Sequence, residues 1–257
     1  MAAWDIIYNL WGFTCPYTKY DAKIPSDEAR KIIHGKMVEA INGLEKLDSP
    51  DVDMGYPYGV SCLHYACRIP DGLPLVKWLV TRGAKIHGYD YPVLSSAAYN
   101  KAGGGDIMKY LVEQGADINI RGKCADLYGG DGDPLYTAMV SNSKESIEFV
   151  FLNSDIDKVD PNELFIYGIK SILIAIEALK KRGVDVSQNK EWLTTFFLYR
   201  ARAEECVMLA NALSLSEDMI KYLIKEVQKS DRPEEYKRSI RDTIALCLRG
   251  SALSTSN

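Results

Sequence analysis

Apolar residues in the middle of this chain recur at helical spacing and then stop at a glycine. The runs Leu75-Val76-Lys77-Trp78-Leu79-Val80 and Ile107-Met108-Lys109-Tyr110-Leu111-Val112 stand 32 residues apart. They lead into Gly83-Ala84-Lys85-Ile86 and Gly115-Ala116-Asp117-Ile118-Asn119, and a third such ending, Gly183-Val184-Asp185-Val186, follows. An apolar stripe of that period predicts an amphipathic helix, and glycine just past it supplies the left-handed cap that a β-carbon penalises. A fixed period in this range marks stacked supersecondary units, none of which can bury its apolar face alone.

The spacing within each unit points the same way. From the first-helix leucine to the second-helix anchor there are 16 residues (Leu63 to Leu79), 17 (Leu94 to Leu111), 16 (Leu135 to Phe151) and 15 (Leu164 to Leu179). A helix–turn–helix of constant size accounts for this. The units are expected from Gly59, from Leu94 to Asn119, from Pro134 to Asp157, and from Asp160-Pro161-Asn162-Glu163, which reads as a capping-box start. Before them Ser26 is expected to cap a helix through Ile32-Ile33. Gly35 should then interrupt it, with Met37, Val38, Ile41 and Leu44 on a second helix and Asp51-Val52-Asp53 in the place of Asp117-Ile118-Asn119.

At these positions the chain resembles the ankyrin-repeat family. The family's Gly-x-Thr-Pro-Leu-His-x-Ala-Ala opening is matched by Gly59-Val60-Ser61-Cys62-Leu63-His64-Tyr65-Ala66-Cys67, and its Gly-Ala-Asp-Val-Asn ending by Gly115 to Asn119. Ser95 and Tyr136 stand where the family has the histidine that is His64 here, which implies weaker hydrogen bonding between repeats at those two units. The resemblance covers roughly residues 29–187. It implies an all-α, ankyrin-like helix–turn–helix repeat solenoid, with Leu63, Leu94, Leu135 and Leu164 as a core column. Residues 1–28, rich in Trp4, Tyr8, Trp11, Phe13, Tyr17 and Tyr20, are expected as an aromatic lead-in, extended or briefly helical. Residues 188–250 continue a helical pattern without the Gly-Ala-Asp ending and are expected as a helical C-terminal cap or a separate module, with 251–257 as a frayed tail.

Composition narrows the chemistry. A hydrophobic share of 47% and a charged share of 26% are ordinary for a folded chain. The net charge of −4 disfavours nucleic acid, whose phosphates reward clustered Lys and Arg. No apolar run approaches the length of a membrane span. Met1-Ala2-Ala3-Trp4-Asp5 has neither the basic start nor the long apolar stretch of a secretory signal. The six cysteines have no framework spacing, so reduced thiols and a cytoplasmic location are expected, the host cytosol if the protein is a delivered effector.

Catalytic signals are sparse. Cys62-x-His64-x-x-Cys67 has metal-like letters, but the repeat accounts for each of them as a helix start and no second half of a zinc site exists. There are three histidines, His34, His64 and His87; His64 has a structural place, and His34 and His87 are expected at turns. Gly103-Gly104-Gly105 reads as a flexible turn. Gly129-Gly130-Asp131-Gly132-Asp133 is similar to a calcium-binding nonapeptide, but Pro134 replaces the last Asp and one copy is present, so a lengthened finger is expected. No metal and no cofactor is expected, and no enzymatic activity.

The binding candidates are aromatic. Tyr56 and Tyr58, then Tyr89 and Tyr91, then Tyr128 fall at successive turns, and Tyr99 and Asn100 fall at the end of a first helix. Tyrosine offers large contact area with little rotamer freedom to lose, although each ring can equally pack on its own turn. With Arg68 and Asp131 they form the expected contact surface for a protein partner of unstated identity. Two alternatives stand beside it. One is an adaptor or inhibitor acting through residues 188–250. The other is an enzyme with a site assembled between repeats around His34 or His64.

Overall fold

Three helices end in the same backbone gesture. Gly83, Gly115 and Gly183 sit at φ of +92°, +97° and +81°. Past them Ala84, Ala116 and Val184 donate their N–H groups back to the carbonyls of Leu79, Leu111 and Leu179, at 3.0, 2.9 and 2.9 Å. The glycine N–H groups bond to Val80, Val112 and Lys180. This is the Schellman pattern, which satisfies the orphan carbonyls of a helix end. The turns that follow repeat as well. Asp51, Asp117 and Asp185 each accept the N–H of the residue two positions on, at 3.1, 2.9 and 2.8 Å. Val52, Ile118 and Val186, the residues between, are buried at the root of each turn.

The computed structural model describes residues 3–17, 23–48, 50–53, 55–56, 60–88, 91–120, 132–155, 168–199 and 202–242. It divides into two compact units, Met1–Ile156 and Asp157–Asn257.

In the first unit the helices are α1 (Ala3–Thr14), α2 (Asp27–Glu45), α3 (Cys62–Arg68), α4 (Leu73–Thr81), α5 (Val93–Ala98), α6 (Gly104–Glu113), α7 (Pro134–Ser141) and α8 (Lys144–Asn153). Ahead of α3, Gly55–Tyr56 pairs antiparallel with Val60–Ser61 as a two-residue hairpin. The odd-numbered helices form one layer, α1 on α3, α3 on α5 and α5 on α7, and the even-numbered helices form a second, α2 on α4, α4 on α6 and α6 on α8. The fold is all-α and ankyrin-like, with Leu63, Leu94 and Leu135 buried along the inner layer; Leu164 lies outside the described residues.

Three local expectations are corrected here. Gly35 does not interrupt α2, which runs unbroken for 19 residues with Ile33, Met37, Ala40 and Leu44 on its buried stripe. A lone glycine costs an interior helix about 1 kcal/mol, too little to break a stripe this regular. His34 therefore lies in mid-helix, exposed, and not at a turn. The Gly103–Gly105 run is a packing device. Gly103 caps α6 at φ +87°, while a β-carbon on Gly104 would come within 2.6 Å of the Ala97 carbonyl oxygen and on Gly105 within 3.1 Å of Glu145 Cβ.

The second unit has its own helices: α9 (Ile169–Lys181), α10 (Lys190–Tyr199), α11 (Ala203–Leu213) and α12 (Glu217–Lys229), then a helical stretch over residues 234–242. Here α9 packs on α11 and α10 on α12. Arg232 and Tyr236 close the end of α10 by donating to the Leu198 and Phe197 carbonyls, at 2.6 and 2.5 Å. The expected start at Asp160–Glu163 lies outside the described residues.

Candidate functional site

Three of the four inner-layer helices of the first unit carry little charge, and the fourth, α1, carries Asp5. The sequences of α3, α5 and α7 contain one charged side chain between them, Arg68. His64 on the same layer is fully buried, and burial pulls its pKa down to about 4 against the raising effect of its bond to the Tyr91 carbonyl. Its Nδ1 accepts the Ser61 backbone N–H at 3.0 Å, which leaves the proton on Nε2 to be donated to the Tyr91 carbonyl at 2.8 Å. Both ring nitrogens thus hold backbone, one within the repeat and one in the next.

Ser95 and Asn100 take over that linking work further along. Ser95 Oγ donates to the Gly132 carbonyl, so the bond between repeats persists where the sequence lacks a histidine. Asn100 Nδ2 donates to the carbonyls of Cys67 and Ile69 at 3.0 and 2.8 Å, and its Oδ1 accepts the Ala102 N–H at 2.9 Å. Asn100 is 4% exposed and Tyr99 is 8% exposed. Neither stands on the surface where the sequence placed it: Asn100 is a staple between repeats, and the Tyr99 ring is packed beneath Arg68.

Around these residues an aromatic strip crosses the inner layer. Trp4, Tyr8 and Trp11 follow one another at i, i+4 and i+7 on α1, so a single helix face presents all three. Their rings converge on Tyr65 of α3, at centroid distances of 5.0, 5.8 and 4.9 Å, each edge to face. One position-triplet further along α3, the Arg68 guanidinium lies over Tyr91 at 5.8 Å and Tyr99 at 5.4 Å. Aromatic faces attract a cation through the ring quadrupole. Tyr8 is 42% exposed, and Trp4, Trp11, Tyr65, Arg68 and Tyr91 are half-buried.

The expected contact residues therefore divide. Arg68, Tyr91 and Tyr99 are brought together around one guanidinium. Tyr58, Tyr89, Tyr128 and Asp131 lie outside the described residues, as does the side chain of Tyr56, whose backbone forms the hairpin. The convergence of Trp4, Tyr8 and Trp11 on Tyr65 was missed by reading the N-terminal aromatics as a lead-in. Their four- and three-residue spacing is the signal that could have found it.

Other chemistry is muted. Cys62 and Cys67 flank His64 as buried thiols, and burial raises the Cys62 pKa to about 12 and that of Cys67 further. Among the described residues no group of three His, Cys, Asp or Glu side chains could hold a metal ion, and no helix is long and apolar enough to cross a membrane.

Helix pairs stacked in two layers define a helical-repeat fold for the first unit. Residues 92–123, which span α5 and α6, match the ankyrin repeat family model. Those residues are an ankyrin repeat, and the neighbouring helix pairs of the first unit are similar to it in fold. No curated protein and no solved structure matches it.

Proposed function

We propose that this protein is a non-enzymatic binding module that holds a partner protein against the inner face of its first unit. Ankyrin repeats serve protein–protein interaction in general, and the observation that supports this face is the strip from Trp4 to Tyr91. Large rings, one of them well exposed, surround the Arg68 guanidinium, the one charged side chain of α3, α5 and α7. Aromatic residues and arginine dominate binding hot spots because they desolvate well and lose little rotamer entropy. The rings are already locked against one another by edge-to-face contacts, so docking needs little reorganisation.

Arg68 and Tyr91 belong to the proposed contact surface, and Tyr56, Tyr58, Tyr89, Tyr128 and Asp131 extend it along the turns. Tyr99 supports it from beneath. Catalysis is not proposed: His64, the histidine nearest this face, is neutral and bound at both nitrogens. Buried thiols support a reducing, cytoplasmic setting for the interaction. Residues 188–250 are proposed as a helical cap.

The test is affinity capture from cell lysate with three baits: the intact chain, Tyr8→Ala, and a variant with Tyr56, Tyr58, Tyr89 and Tyr128 changed to Ala. Circular dichroism and a cooperative melt establish that each is folded. A protein held by the intact chain and lost from Tyr8→Ala supports the inner strip; loss from the four-tyrosine variant extends the surface to the turns. A protein held equally by all three overturns the assignment and moves the search to residues 188–250.

A further inference from the structure

The outer layer of the first unit carries a separate signal, centred on α4. Residues 72–89 contain Lys77, Arg82 and Lys85 and no Asp or Glu, whereas α2, α6 and α8 each mix acidic with basic side chains. The chain as a whole has 35 Asp and Glu against 31 Lys and Arg, so composition alone would not leave one helix purely basic. Lys85 is paired with Asp53 at 3.2 Å. Lys77 and Arg82 are exposed, and among the described residues neither forms an ion pair. They lie on rings instead. The Lys77 ammonium is 5.5 Å from the centroid of Tyr110 on α6, and the Arg82 guanidinium is 4.9 Å from that of Trp78, four residues earlier. Both rings are half-buried.

An ion pair in open water contributes little. Beside half-buried rings the surroundings are less polar, and the same pair is worth more. A segment carrying carboxylates would meet two cations that no carboxylate of the described residues compensates, and would remove ring surface from water as it did so. A wholly neutral segment would take water from both cations and replace it with nothing. Nucleic acid is a poorer match. Two cations release few counterions, and Asp106 and Glu113 on the neighbouring α6 oppose a continuous phosphate backbone.

We infer that the outer face of α4 and α6 is a second docking surface, taken by an acidic protein segment with two or more Asp or Glu set among apolar residues. Its carboxylates lie on Lys77 and Arg82, and its apolar side chains lie against Trp78 and Tyr110. This surface belongs to the other layer from the Trp4-to-Tyr91 strip and does not depend on that strip's binding anything.

A library of random twelve-residue peptides displayed on phage tests this. It is selected in parallel on the intact chain, on Lys77→Glu/Arg82→Glu and on Tyr8→Ala, each shown by circular dichroism to melt cooperatively. Lys77→Gln/Arg82→Gln takes the place of the charge-reversed variant if that one does not fold. The pool from the intact chain should contain a class with two or more Asp or Glu among apolar residues. Synthetic peptides of that class should bind the charge-reversed variant about tenfold more weakly or worse. Their affinity should fall as salt rises, and Tyr8→Ala should bind them as the intact chain does. A pool without an acidic class, or acidic peptides that bind the intact and charge-reversed chains alike, overturns the inference. Acidic peptides lost from Tyr8→Ala overturn it as well, since they then sit on the inner strip. A labelled single-stranded oligonucleotide is titrated alongside. If it binds the intact chain more tightly than any peptide and is lost from the charge-reversed variant, the surface is one for nucleic acid and the inference falls. The inner strip is read through Tyr8 and the outer face through Lys77 and Arg82, so either can fail without the other.

Discussion

His64 is held neutral by its place in the stack, and the consequence is a pH dependence of stability with a definite sign. Its pKa is lowered to about 4 in the fold from an ordinary 6.5. As the pH falls the unfolded chain takes up this proton first, so the stabilisation is complete above about 6.5 and drains away toward 4. A shift of this size corresponds to roughly 3 kcal/mol. The urea midpoint of the intact protein should therefore fall more steeply between pH 7 and 4.5 than that of His64→Gln, which should be less stable at pH 7. Equal slopes would show that the buried imidazole is not the titrating group. Asn100 is the second such residue. Asn100→Ala would remove the amide bonds to the Cys67 and Ile69 carbonyls and to the Ala102 N–H, with the Ile69 carbonyl keeping the Gly72 N–H, and should cost about 2–4 kcal/mol in equilibrium unfolding; a loss below about 0.5 kcal/mol would contradict that role. The two residues were unequally legible. His64 stands in the motif that carries the family resemblance, whereas Asn100 at a helix end reads the same whether its amide faces solvent or reaches back 31 to 33 residues to the previous repeat.

At the scale of the element, glycines show how one letter serves opposite purposes. Gly83, Gly115 and Gly183 were readable as helix stops because each follows an apolar stripe and is followed by the same small-residue turn. Gly35 and the Gly103–Gly105 run were not, because a glycine that breaks a helix and one that admits a neighbour's backbone have the same local signal. Their difference is testable. A β-carbon at Gly35 meets nothing within 4 Å, while at Gly104 it would meet the Ala97 carbonyl oxygen at 2.6 Å and Ser146 Oγ at 3.0 Å. Gly35→Ala should stabilise the protein by about 0.5–1 kcal/mol through helix propensity. Gly104→Ala should destabilise it by about 1–3 kcal/mol through overpacking. Thermal midpoints moving the same way in both variants would contradict the packing described for α2 and α6. The helices themselves were visible from apolar spacing, since α4, α6 and α9 carry regular buried stripes.

Across the whole molecule, the repeats were written in the sequence and the proposed binding face only in part. The ankyrin ending and the leucine column are local or periodic signals, and they survive being read along one dimension. The strip does not, because Trp4 and Tyr65 come together only when α1 takes its place on α3, and the cradle of Arg68 needs rings 23 and 31 residues away. This strip is the proposed seat of binding. The second unit offers a contrasting surface at Met208, 45% exposed on α11. The decisive measurement is titration calorimetry of a captured partner against the intact chain, Tyr8→Ala, Arg68→Gln and Met208→Ala. The first two variants should each weaken binding by tenfold or more, about 1.4 kcal/mol, and Met208→Ala should stay within twofold of the intact chain. Binding unchanged in Tyr8→Ala and Arg68→Gln but lost in Met208→Ala would contradict the account and place the partner on the second unit.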